Sequence, residues 1–275
     1  MLEIRQKSLR SEDGQSIYYE TCYADEAAPV VMLVHGIGGD VGAWTYIRNI
    51  LTKSSFSTIA LDVRGHGYSG HPTSNKQYAM SMLSRDIMHV IDAEELDAII
   101  LVGHSGGAVL ALDFALRYPE RMQALVLLAG SHLPPAYMRS RAIKRIAHAL
   151  VALGAFVSPP ALAPWHSTYP PGKFHREYEP WGLVRTILHN SLRSYLWVGR
   201  ELMNIAFEDR LGEICMPTLI VVGEKDSIYP PAISRAMHAN IPGSVLKIIP
   251  EANHVIVLNN IGETAGHIID FVRGL

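Results

Sequence analysis

Ser105 stands in Gly103-His104-Ser105-Gly106-Gly107, between the apolar run Ile99 to Val102 and a stretch with Val109, Leu110, Leu112, Phe114 and Leu116 at helical spacing. A serine hydroxyl is a poor nucleophile until a base takes its proton and a third group orients that base. A strand, a sharp turn and a helix give the required exposure, because the reversal lifts the hydroxyl clear of a sheet. Gly103 and Gly107 remove side chains where strand and helix backbones must come close, and Gly106 leaves its amide open to a developing oxyanion. Two later loops offer the partners. Asp226 follows the apolar run Thr218 to Val222, and His254 follows Val245 to Ile249. A parallel sheet brings such strand ends to one edge despite their separation in sequence. In this reading His254 accepts the Ser105 proton and Asp226 holds the imidazole in its useful tautomer. Ile37, after His35-Gly36, offers a second amide to the oxyanion beside that of Gly106. The plainer alternative for each residue is a turn serine, a solvent-facing aspartate or an ordinary loop histidine. Placement after consecutive strands favours the joint reading.

The elements that must position these groups are legible in order. Ser8 to Ser11 and Gln15 to Tyr23 read as strands around Asp13-Gly14, a pair that favours a hairpin. Val30 to Val34 is continuously apolar, as expected of a strand buried on both faces. Helical spacing follows at Trp44, Ile47, Ile50 and Leu51, then a strand from Phe56 to Leu61 and the glycine-rich stretch Val63 to Gly70. A helix is predicted across Met82, Ile87, Val90 and Ile91, and strands at Ile99 to Val102 and Ala124 to Leu128. The alternation implies a mostly parallel sheet covered on both faces. Residues 131–210 interrupt it with Pro134-Pro135, Pro159-Pro160, Pro164 and Pro170-Pro171. So long a structureless connection is unusual, so an inserted, largely helical cap is expected there, with residues 1–130 and 211–275 forming the core. One cap helix is predicted over Arg139 to Leu153, its apolar stripe formed by Ile143, Ile146, Ala147, Leu150 and Leu153. One or two more are expected from Leu183 to Phe207. The last elements are a helix over Ala232 to Ala239, the strand Val245 to Ile249 and a helix from Ile261 to Val272.

Composition removes several function classes. The 275 residues carry a formal charge of −2, which gives no reason to expect nucleic acid as a partner. The early strand lacks the proper Gly-x-Gly-x-x-Gly turn of a dinucleotide site, and neither a phosphate loop with lysine nor a closely grouped metal-ligand pattern is present, so cofactor-free, metal-free chemistry is expected. Cys22 and Cys215 are expected as buried free thiols. No run reads as a transmembrane segment and the charged N-terminus does not read as a signal peptide, so a cytoplasmic location is expected. The 131–210 segment holds ten Lys or Arg against five Asp or Glu. That balance reads first as a solvated helix face, then as attraction for an anionic substrate or an anionic membrane surface. Its aromatics, Trp165, Tyr169, Trp181, Tyr195 and Trp197, could line an apolar pocket or hold the cap together.

These residues together resemble the α/β-hydrolase superfamily. The resemblance rests on His35-Gly36-Ile37-Gly38-Gly39, Asp62 through Gly70, Gly103 through Gly107, Gly223 through Asp226, and Asn253-His254. It implies an eight-stranded, mostly parallel sheet with helices on both faces and the cap inserted after the sixth strand. It further implies Ser105, Asp226 and His254 as catalytic triad, with the Ile37 and Gly106 amides as oxyanion hole. Gly36, Ile37, His104 and Gly106, with Trp165 and Trp181 from the cap, are the expected substrate contacts. Asp62 is expected to accept loop amides, and His35 and His104 to brace glycine-rich turns. Asn253 replaces the common glycine before the histidine, and Gly106 replaces the usual larger residue after the nucleophile. A serine at the elbow argues against chemistry through an aspartyl ester. The expected activity is a monomeric or weakly oligomeric carboxylesterase for small or medium apolar esters. A lactonase, a carbon-carbon bond hydrolase or a noncatalytic small-molecule receptor are the alternatives.

Overall fold

The computed structural model describes residues 3–24, 28–134, 141–158, 165–172 and 191–275. Its sheet holds eight strands in the order β1-β2-β4-β3-β5-β6-β7-β8. These are β1 (Arg5–Arg10), β2 (Ser16–Cys22), β3 (Val30–Val34), β4 (Ser57–Leu61), β5 (Ile99–His104), β6 (Met122–Leu128), β7 (Thr218–Gly223) and β8 (Val245–Ile249). The pairs β1/β2 and β2/β4 are antiparallel; every later neighbour is parallel. This is the α/β-hydrolase fold. Gly14, with φ +80°, turns the β1/β2 hairpin as the Asp13-Gly14 pair predicts, although β1 starts and ends earlier than the expected Ser8 to Ser11.

Two apolar layers cover the sheet. On one face α2 (Met80–Ala93), α3 (Gly106–Arg117) and α6 (Pro231–Asn240) bury Ile87, Val90, Val109, Phe114 and Met237. On the other, α1 (Thr45–Lys53) and α8 (Ile261–Arg273) bury Ile47, Leu51, Ile268 and Val272. A short helix, α7 (Ile256–Asn259), precedes α8 directly after the His254 loop. Strands β3 and β5 have no exposed residue, which explains their uninterrupted apolar sequence.

Between β6 and β7 the described chain forms α4 (Arg141–Val157) and α5 (Leu192–Leu202), which pack together. Arg139 and the stretch 183–190 lie outside the described residues. The stripe of α4 turns outward, leaving Ile143, Ile146, Leu150 and Leu153 exposed, while Val151 and Ala155 are buried. Periodicity identified the helix but could not say which side meets the protein. Cys22 is buried and Cys215 exposed, both free, so the burial expected of Cys215 is corrected. Cys215 falls one residue before the buried Met216 and beyond any strand, where the alternation of inward and outward side chains sets it facing out.

Candidate active site

β5 delivers Ser105 to a strained turn. Its φ of 54° and ψ of −118° are rarely adopted by a residue bearing a side chain, and the helix α3 starts at the next residue. The close approach behind this turn requires glycine at two places. A Cβ on Gly103 would stand 2.2 Å from the Gly107 carbonyl oxygen, and one on Gly107 2.2 Å from that of Val34. The elbow therefore presses α3 against the carboxyl ends of both β5 and β3.

Three loops converge on the half-buried Ser105. His254 Nε2 lies 2.8 Å from Ser105 Oγ, and His254 Nδ1 lies 2.9 Å from Asp226 Oδ2. With Nδ1–H donating to the carboxylate, Nε2 is left as the acceptor for the Ser105 hydroxyl. Asp226 is itself oriented: its Oδ1 accepts the amides of Ile228 and Tyr229 at 2.9 and 2.8 Å. Asp226 and His254 are both buried, which keeps the relay away from competing water. His104 stands behind it, and its Nε2–H donates to the His254 carbonyl at 3.0 Å. Burial, aided by the neighbouring His254, pushes the His104 imidazole down to about 3, so it acts here as a neutral donor.

Gly36 and Ile37 lie against the elbow. A Cβ on Gly36 would fall 3.1 Å from Ser105 Cβ, and one on Gly106 3.2 Å from the Ile37 amide nitrogen. Gly36 thus lies against the Ser105 side chain, and the Ile37 amide against Gly106. Two imidazoles hold the Ile37 loop. His66 Nε2 accepts the Gly38 amide at 3.0 Å, and His35 Nε2 accepts the Val63 amide at 3.0 Å. Burial, with the adjacent His35, drives the His66 pKa well down, so this acceptor stays neutral. His35 therefore braces the turn as expected, whereas the part played by His66 carried no distinguishing signal in the sequence.

An apolar pocket opens beside these backbones, lined by Gly36, Ile37, Gly106 and Gly107 with His35 and His66. Val63, Met80, Leu83 and Leu110, with Val198 and Leu202 from α5, complete it. The α5 pair was not singled out from the sequence; their spacing of four along a helix was the only available sign. Trp165 is 41% exposed and is not among the lining residues, so the pocket contact expected of it is not carried by this arrangement. His104 likewise supports the His254 loop from behind, and Trp181 lies outside the described residues.

Asp62 accepts loop amides, from Val41 at 2.8 Å and Tyr68 at 2.8 Å, as expected. Its Oδ2 also meets His166 Nε2 at 2.7 Å. Asp40 Oδ2 accepts the Ser167 amide and the Tyr169 hydroxyl. Two buried carboxylates thereby fasten residues 166–169 to the loops beyond β3 and β4. Among the described residues no group of three His, Cys, Asp or Glu could hold a metal ion.

Comparison with known proteins identifies the family. Over 237 residues the chain is 30% identical to the putative carbamate hydrolase RutD of Klebsiella pneumoniae strain 342, covering 82% of this chain and 85% of that protein. It is 29% identical over 243 residues to a Bacillus subtilis protein named putative 2-succinyl-6-hydroxy-2,4-cyclohexadiene-1-carboxylate synthase, covering 85% and 87% of the two. A thermophilic esterase from Thermogutta terrifontis superposes with a TM-score of 0.77 at 21% identity over 98% of each chain, a likeness of fold. The family model for serine aminopeptidase, S33, matches residues 25–260, a span that takes in the elbow, the Asp226 turn and the His254 loop. Since that match runs through most of the core and every loop that meets at Ser105, the chain belongs to the serine aminopeptidase S33 family of α/β-fold hydrolases.

Proposed function

We propose that this hydrolase is a serine carboxylesterase acting on small or medium apolar esters. The observation that carries the reading is the continuous hydrogen-bond relay Ser105–His254–Asp226 beside the Ile37 and Gly106 backbones. Ser105 Oγ attacks the ester carbonyl as His254 Nε2 takes its proton, and the Ile37 and Gly106 amides receive the negative charge that develops on the carbonyl oxygen. His254 then protonates the departing alkoxide, leaving an acyl group on Ser105. A water molecule, deprotonated by His254, attacks the acyl-enzyme; collapse of that second adduct releases the acid and returns the proton to Ser105. Asp226 stabilises the imidazolium in both halves. The apolar lining beside Gly106 favours a hydrocarbon acyl or aryl group over a charged one. In this reading residues 131–210 form a cap over the core, and α5 supplies the pocket roof.

The test is a panel of nitrophenyl esters of increasing acyl length, run beside lactones and against Ser105→Ala. Turnover of short and medium esters, lowered at least about a thousandfold in Ser105→Ala, is the expected result. Turnover of lactones alone would replace the esterase reading with lactone opening. Tight retention of esters without turnover, in protein whose Ser105 still reacts with a phosphonate, would leave a binding protein.

A further inference from the structure

Helix α4 is amphipathic in the wrong sense for a helix that only covers a core. Six of its large apolar residues, Ile143, Ile146, Leu150, Leu153, Phe156 and Val157, are exposed, Phe156 by 84%. At 3.6 residues per turn they occupy an arc of roughly 140°. Val151 and Ala155 lie on the opposite side and are buried. The attachment to α5 is polar as well as apolar, since the Arg193 guanidinium donates to the carbonyls of Ala155 and Ser158. A ridge of this kind is a contiguous patch rather than scattered surface residues, and such a patch marks an interaction site.

Charge indicates what covers it. The helix that bears the ridge, RAIKRIAHALVALGAFV, carries Arg141, Lys144 and Arg145 and no acidic residue. Arg145 is exposed at the margin of the ridge. A second copy docking ridge to ridge would bring two cationic segments together, while an anionic lipid surface complements both the ridge and the charge. None of the helices in the described residues is long and apolar enough to cross a membrane, so α4 would lie in the plane of the surface. The position also suits delivery: α4 packs on α5, whose Val198 and Leu202 line the pocket beside Gly106.

We propose that α4 docks the enzyme on anionic lipid surfaces, sinking its apolar ridge to the level where headgroups meet acyl chains, so that the substrates are apolar esters dissolved at that surface. The substrate part rests on the esterase reading; the docking part does not. The experiment is flotation of the full chain with vesicles of phosphatidylcholine alone and of phosphatidylcholine mixed equally with phosphatidylglycerol. Binding at least about tenfold stronger to the mixed vesicles, weakened by salt, is expected. The double substitution Leu150→Glu with Phe156→Glu should lower that binding about tenfold or more and leave hydrolysis of a water-soluble ester unchanged. Docking is overturned by wild-type protein that does not float with the mixed vesicles, by a double variant that floats equally well, or by self-association in sedimentation that the double variant abolishes. Ser105→Ala separates the two readings, because it should float normally while hydrolysing nothing. Protein that floats as expected but turns over no soluble or vesicle-borne ester keeps the docking surface and loses the esterase.

Discussion

At the scale of single residues, the site depends on hydrogen bonds that leave each group only one useful state. Asp226 commits one oxygen to the Ile228 and Tyr229 amides and the other to His254 Nδ1. Asparagine in its place would preserve the shape but could present an N–H where His254 needs an acceptor, favouring the tautomer whose Nε2 carries a proton and cannot receive another. Asp226→Asn is therefore expected to lower kcat by about 10⁴ while changing KM little, as a comparable substitution does in other serine hydrolases. Steady-state kinetics on the best ester of the panel checks this, and a loss below about tenfold would show that Asp226 does not orient the base. The sequence made this relay legible through residue type and position after consecutive strands. It could not reveal His66, because a histidine in a glycine-rich loop looks the same whether its ring accepts the Gly38 amide or faces water.

At the scale of elements, the elbow is legible because its constraints are local: Gly103 and Gly107 are required by carbonyl oxygens that a Cβ would strike. The fastening of residues 166–169 is different, since it joins segments far apart in the chain. His166 bonds to Asp62, lies in the field of Asp40 and Glu20, and packs edge-on against Tyr18 and Tyr68. Burial alone would lower its pKa, but the Asp62 hydrogen bond and the surrounding carboxylates outweigh burial and raise it above the ordinary 6.5. A histidine whose folded pKa is raised contributes its extra stability fully below its unfolded value and loses it as pH rises through the folded value. The stability difference between wild type and His166→Gln should therefore be largest below pH 6.5 and shrink as pH rises beyond it. Urea unfolding across that range measures the difference; one that does not vary with pH would remove the charged His166–Asp62 contact from the account.

At the scale of the whole molecule, one buried cation ties together parts that the sequence keeps apart. Arg64, 1% exposed, donates Nε and Nη2 to the two oxygens of Asp86 on α2, and Nη1 to Asp13 in the β1/β2 turn and to the Gln77 carbonyl. Burial pushes the Asp86 carboxyl upward even against Arg64, so the pair is held by mutual compensation in a dry setting. Arg64→Met leaves Asp86 buried without its counter-charge and should cost about 3 to 5 kcal/mol in urea unfolding. Arg64→Met with Asp86→Leu should recover most of that loss; a single variant as stable as wild type would show that the pair is not what joins hairpin, loop and helix.

The succession of strands and helices, the nucleophile turn, the glycines behind it and the residues of the relay were all determined by the sequence itself. The elements and the turn follow from short-range sterics or from a pattern of two or 3.6 residues that is visible without knowing the neighbours, and the relay residues from their places at the ends of consecutive strands. The tertiary structure alone decided that the α4 stripe faces outward, that Val198 and Leu202 line the pocket, and that Arg64 and His166 bind distant loops. An apolar stripe states that a helix has two unlike faces. Which of them meets protein depends on the residues packed against it, and those lie beyond the reach of any local pattern.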